Sequence, residues 1–122
     1  MNEPVTLDAA AIERLRKLGG DKFASDMIGL FFSYGGQKVL ETKQALQAGD
    51  LAAVANAAHP MKSSAGNVGA ARVQALAAQL EQAAKEGKTE AVAGLVGEFE
   101  SAYAQTRTLL EAELARLKPA VV

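Results

Sequence analysis

The chain of 122 residues contains one histidine, His59, in the run "NAAHPMKSSAGNVGAA" from Asn56 to Ala71. An imidazole with an unperturbed pKa of about 6.5 offers a nucleophilic nitrogen near pH 7. Lys62 stands three residues further on. On a helix that spacing puts its ammonium one turn along, within reach of a group bonded to the imidazole. Other chemistries lack their residues. There is no cysteine, which excludes disulfides, thiolate zinc sites and cysteine nucleophiles. One histidine without neighbouring carboxylates supplies too few ligands for a metal. No GxxxxGK[ST] or other glycine-rich nucleotide pattern is present.

The surroundings of His59 are unusual for a helix surface. At about 100° per residue, Leu51, Val54, Ala58, Met61, Ala65 and Val68 form one apolar stripe. His59 lies off it, about 100° from Ala58 and about 160° from Met61. It shares its face with Ala52, Ala55, Asn56, Lys62, Ser63 and Gly66. Only Lys62 among these is long, whereas exposed helix faces normally carry Glu, Lys, Gln and Arg. The pattern predicts a face cleared of bulk, open to the close approach of another protein. An ordinary surface histidine is the competing reading. Pro60 removes one helical hydrogen bond and predicts a kink beside the histidine.

The elements that position this face follow from composition and periodicity. Alanine dominates, β-branched and aromatic residues are sparse, and the prolines sit at 4, 60 and 119, which favours an all-α chain. Asp8 caps a short first helix that ends at Gly19-Gly20. A long second helix starts at Asp21, with Phe23, Met27, Leu30, Phe31 and Tyr34 as its apolar rhythm, and bends at Gly35-Gly36. Asp50 caps the third. A fourth runs from about Ala70 to Lys85, with Val73, Leu76, Leu80 and Ala83 inward. The last runs from about Thr89 to Leu117, burying Val92, Leu95, Phe99, Thr106, Leu109, Leu110, Leu114 and Leu117, and Pro119 prevents its continuation. Short connections make neighbours antiparallel. The expected fold is an up-down-up-down four-helix bundle with a short additional N-terminal helix, in one domain over 1–122 with its core at about 21–117.

The segment "AHPMKSSAGNVGA" resembles the active-site motif of histidine phosphotransfer (HPt) domains, through Ala58, His59, Lys62, Ser64, Gly69 and Ala70, with Met61 in place of a leucine. "FASDMIGLFF", "ALQAGDLAAVANAAH" and "LAAQLEQAAKEG" extend the resemblance over nearly the whole chain. Pro60 and Ser63 depart from the pattern. The resemblance implies the bundle already read from periodicity, and it adds chemistry: such domains carry a phosphoryl group on histidine between the aspartates of receiver domains. It implies attack by Nε2 of His59, Lys62 as a cation for the phosphoryl oxygens, and support from Ser63. Glu81 occupies the fourth-helix position near the histidine, and Lys85, one turn on, matches a basic position. Gly69 and Ala70 take structural roles. The implied docking surface is the His59 face of the third helix, with Ala52, Ala55, Asn56 and Gly66, rimmed by Gln74 and Ala78 of the fourth.

This reading makes the chain a phosphocarrier without kinase activity of its own, completed by a docked partner. The partners are receiver domains of response regulators and of a hybrid sensor histidine kinase. The chain needs no cofactor, and Mg²⁺ is expected on the partner receiver. A net charge of −1 provides no footprint for nucleic acid or anionic lipid. No apolar run approaches a membrane span and the N-terminus lacks the features of a signal peptide, so a cytoplasmic protein is expected; the start at Met1 and the end soon after the last helix suggest a free-standing chain, and a monomer is expected. The alternatives are a non-catalytic helical binding module that sequesters receivers, with His59 incidental, and a structural dimerisation module.

Overall fold

The structure, a computed structural model, describes residues 5–117. The described residues are helical: α1 Ala9–Leu30, a π-helical turn Phe31–Gly35, α2 Gly36–Gln47, α3 Leu51–Asn67, α4 Ala71–Lys85 and α5 Thr89–Leu117. Asp8 and Asp50 cap α1 and α3, accepting from the amides of Ala10 at 3.1 Å and Ala53 at 3.0 Å. These side chains satisfy donors that a helix start leaves orphaned. Three residues connect each pair from α2 to α5, so those helices alternate in direction. The second half of α1, the π turn and α2 form the remaining rod of the bundle. Pro119 lies outside the described residues. Among those described, no helix is long and apolar enough to cross a membrane.

The first half of α1 closes one end of the bundle. Gly20 takes φ 84° and ψ −176°, a conformation open to glycine, and the rod changes direction there, as the glycine pair predicts. Helical structure resumes at once, without a loop. Ile12 and Leu15 are buried in the same cluster as Ile28, Val39, Met61, Leu80, Phe99 and Leu110. The Asp8 amide donates to the Gly69 carbonyl at 2.9 Å. Gly69 has φ +77°, and a Cβ there would stand 2.5 Å from the Asp8 carbonyl oxygen. Both the turn and the packing therefore require glycine.

The apolar rhythm of the second segment is only partly buried, and the expected buried face of α5 needs correction. Of the apolar rhythm in the second segment, Phe31 is buried, but Phe23, Leu30 and Tyr34 are 37%, 58% and 38% exposed. The core instead takes Ala24, Ile28, Phe31 and Gly35. These lie on a second stripe beside the first, and periodicity gives a stripe's direction without saying which of two faces inward. In α5, Leu109 is exposed, while Val96 and Tyr103 are buried. The expected bend at Gly35-Gly36 is a π turn. The Tyr103 hydroxyl donates to the Phe32 carbonyl of that turn at 2.8 Å. A Cβ on Gly35 would stand 2.9 Å from the Tyr103 ring.

Thr106 is fully buried as expected, and its Oγ1 has no hydrogen-bond partner among the described residues. A buried unpaired hydroxyl is destabilising. Thr106→Val keeps the shape and removes the hydroxyl, so it should raise stability by about 1 kcal/mol in urea unfolding. A loss of stability would mean that the hydroxyl has a partner, such as trapped water.

Candidate functional site

The site is built where α3 crosses α4, the most extensive helix contact in the molecule. Val54, Ala58, Met61, Ala65 and Val68 are buried as the wheel requires, and Leu51 is half-buried. His59 is thereby turned away from the core, and its side chain is 65% exposed. α3 runs through Pro60 without a break. On α4, Val73, Leu76, Leu80 and Ala83 are buried. Among them sits Glu81, the only charged side chain buried among the described residues.

A buried carboxylate is costly unless it is paired. Glu81 meets three nitrogens. Its Oε2 lies 2.6 Å from His59 Nδ1 and 3.2 Å from Lys85 Nζ. Its Oε1 lies 2.6 Å from Lys62 Nζ. The Lys62 ammonium, aided by the His59 ring and Lys85, outweighs burial and holds the carboxyl well below its ordinary 4.5, at about 2.

That ionisation decides the state of the imidazole. An ionised carboxylate only accepts hydrogen bonds. Nδ1 must therefore carry the proton, so in the neutral ring the lone pair is on Nε2. Nε2 is the ring nitrogen not engaged by Glu81, on a side chain that is largely exposed. Two ammonium groups around one carboxylate leave the cluster with an excess positive charge beside it. The arrangement suits transfer of an anionic group to and from Nε2.

The residues expected at the site fall into three groups. His59, Lys62, Glu81 and Lys85 converge on one cluster. Ala52, Asn56, Ser63 and Ala78 are exposed. Ala55 and Gly66 require correction. Ala55 is 6% exposed because it lies on the side of His59 that turns into the α3–α4 seam. The open space at Gly66 is occupied by Gln74, whose Nε2 donates to the Lys62 carbonyl at 3.0 Å. Gln74 is thus tied to α3 as well as exposed on the rim. Gly69 and Ala70 make the tight turn between the helices, and Ala70 is fully buried.

An adjoining surface was not anticipated. Met27, Leu30, Phe31 and Tyr34 face Ser64, Asn67 and Val68 across a shallow apolar groove. Asn67 lies two turns beyond His59 on α3, so the groove flanks the histidine face. Its signal in the sequence is the Met27–Leu30–Tyr34 part of the apolar rhythm, which by itself does not tell a buried stripe from an exposed one. Lys38 sits 5.3 Å from the centre of the Tyr34 ring, on the side towards α2. Among the described residues, no three His, Asp or Glu side chains converge as a metal site.

The model of a family described as the Hpt domain matches residues 26–119. The crystal structure of histidine-containing phosphotransfer protein B from Pseudomonas aeruginosa PAO1 superposes with a TM-score of 0.85 at 26% identity, covering 90% of this chain and 95% of that one. A rice candidate histidine-containing phosphotransfer protein has the same fold, with a TM-score of 0.78 at 20% identity, covering 91% of this chain and 80% of that one. A search of curated proteins gave no significant match.

The depressed Glu81 pKa makes a signed prediction. A carboxyl lowered from 4.5 to about 2 on folding adds stability that is present above the unfolded value and lost as pH falls through the folded one. The stability difference between the parent and Glu81→Gln should change between pH 4.5 and 2, as the parent loses the contribution of its ionised carboxylate. Urea midpoints across that range measure it. A difference independent of pH down to 2 would contradict the assigned pairing.

Proposed function

The chain belongs to the Hpt domain family, and from that premise we propose that it is a phosphocarrier which shuttles a phosphoryl group on His59 between the aspartates of receiver domains. The observation that carries the assignment to His59 is the Nδ1 contact with Glu81 at 2.6 Å. It directs the nucleophilic lone pair of the chain's single histidine outward.

The chemistry follows from this placement. Nε2 attacks the phosphorus of an aspartyl phosphate. The N–P bond forms, the P–O bond breaks, and the receiver's carboxylate leaves with the bonding pair. The ring becomes cationic, with its proton still on Nδ1, and the Glu81 carboxylate offsets that charge. Lys62 and Lys85 sit beside the incoming oxygens as point cations, a form of preorganised electrostatic stabilisation. The reverse step passes the group to a second aspartate. In-line phosphoryl transfer is mostly positioning and charge neutralisation, so the bundle needs no further reacting group. Mg²⁺ arrives on the receiver's own carboxylates.

The receiver docks along the exposed ridge of α3, where Ala52, Asn56 and Ser63 allow close approach. The apolar groove of Met27, Leu30 and Tyr34 extends this surface onto α1. Leu30 is 58% exposed, and its burial by a partner would add apolar contact to the interface. A transient interface of modest area fits a monomeric carrier that must release two partners in turn. Those partners are response regulators and the receiver of a hybrid sensor kinase, in the cytoplasm.

Two experiments test this reading. In a phosphotransfer profile against the receiver domains of the source organism, the parent should acquire acid-labile, alkali-stable label, and His59→Gln should acquire none. Equal labelling of His59→Gln would overturn the assignment, and unchanged signalling by it in cells would favour the non-catalytic binding module. Leu30→Glu should weaken receiver binding at least tenfold, about 1.4 kcal/mol, with an unchanged melting temperature. An unaltered Kd would remove the groove from the docking surface.

A further inference from the structure

Gln74 and Glu81 are seven residues apart on α4, about two turns, and face the same way. Both hold Lys62, at opposite ends. Glu81 Oε1 takes the ammonium at 2.6 Å, and Gln74 Nε2 donates to the backbone carbonyl at 3.0 Å. Within α3 that carbonyl already lies on the i→i+4 ladder, one turn before Gly66. The second bond needs room that only glycine leaves: a Cβ at position 66 would stand 2.6 Å from Gln74 Nε2 and 3.2 Å from its Cδ. Gly66 has ordinary helical surroundings and no positive φ, so backbone conformation does not call for glycine there.

We propose that Gln74, admitted by Gly66, is a positioning residue for Lys62: it locks the axial register of α3 against α4 and so sets where the ammonium lies relative to His59. This rests on the phosphocarrier reading of the same site. The physical reason is the tolerance of the chemistry. A displacement of about 1 Å at a charge-stabilising group can cost orders of magnitude in rate. Lys62 has four rotatable bonds; Glu81 fixes the ammonium at their far end, and Gln74 fixes the backbone from which they start. The latch also gives a role to two residues whose small size and polarity would otherwise mark only a docking rim.

The test uses Gly66→Ala and Gln74→Met in the full chain. Gly66→Ala displaces the end of a flexible side chain and places a better helix former in the helix, so the fold is retained. Gln74→Met keeps the length and removes the donor. Single-turnover transfer is measured from a receiver phosphorylated by acetyl phosphate, alongside labelling by phosphoramidate, which releases ammonia and needs no receiver. Both variants should transfer roughly tenfold more slowly at an unchanged half-saturating receiver concentration. Melting temperatures should be equal to the parent's or higher for Gly66→Ala. In a Lys62→Ala background, neither change should slow transfer further. Full transfer rates would overturn the latch, as would an equal loss without Lys62 or a loss confined to the half-saturating concentration. If no receiver labels the parent, the phosphocarrier reading fails, while the phosphoramidate rates still decide whether the latch acts on His59 through Lys62.

Discussion

A single buried carboxylate governs the arrangement of this molecule's functional face. Glu81 reaches up from α4 beneath α3 and holds an imidazole and two ammonium groups. Withdrawing a carboxylate from water costs several kcal/mol, and pairing offsets that cost without reliably exceeding it. The cluster is therefore better understood as a device for orientation than as a source of stability. It fixes the proton on Nδ1, turns Nε2 outward, and gathers positive charge on the side from which an anionic group must come.

For a side chain as short as glutamate to reach the histidine, the two helices must lie close together. Ala55, Ala58 and Ala65 on α3, and Ala77 and Ala84 on α4, are all buried. Large side chains in that seam would push the axes apart, since interaxial distance follows the size of the contact residues. Alanine brings less apolar area to the core. The bulk is supplied elsewhere, by Phe99, Ile28, Met61, Leu76, Leu80 and Leu110. The tight Gly69 turn, held from outside by the Asp8 backbone, starts α4 in the register that brings both Gln74 and Glu81 under Lys62.

The long rod of α1 and α2 contributes differently. It buries Ala24, Ile28 and Phe31 and leaves the adjoining Met27, Leu30 and Tyr34 stripe along the α3 flank. Tyr103 secures the π turn by donating to the Phe32 carbonyl, while the Arg107 guanidinium lies 4.7 Å from the centre of the Phe32 ring. The turn is therefore tied to α5, and the apolar strip has a rigid base.

Much was decided locally and was legible in the residues. Asp8 and Asp50 mark helix starts because their carboxylates meet orphan amides within three residues. Gly20 and Gly69 mark breaks because other residues resist those angles. The α3 stripe put His59 off the core because helical geometry alone sets which side chains share a face. The tertiary structure decided what depends on a second helix. Whether the 23–27–30–34 stripe or its neighbour faced inward depended on the packing of the bundle. That Ala55 is covered and the space at Gly66 filled depended on the side from which α4 approaches. That Lys62 and His59 share one carboxylate depended on register across the turn, because residues about twenty positions apart meet only when two helices pack.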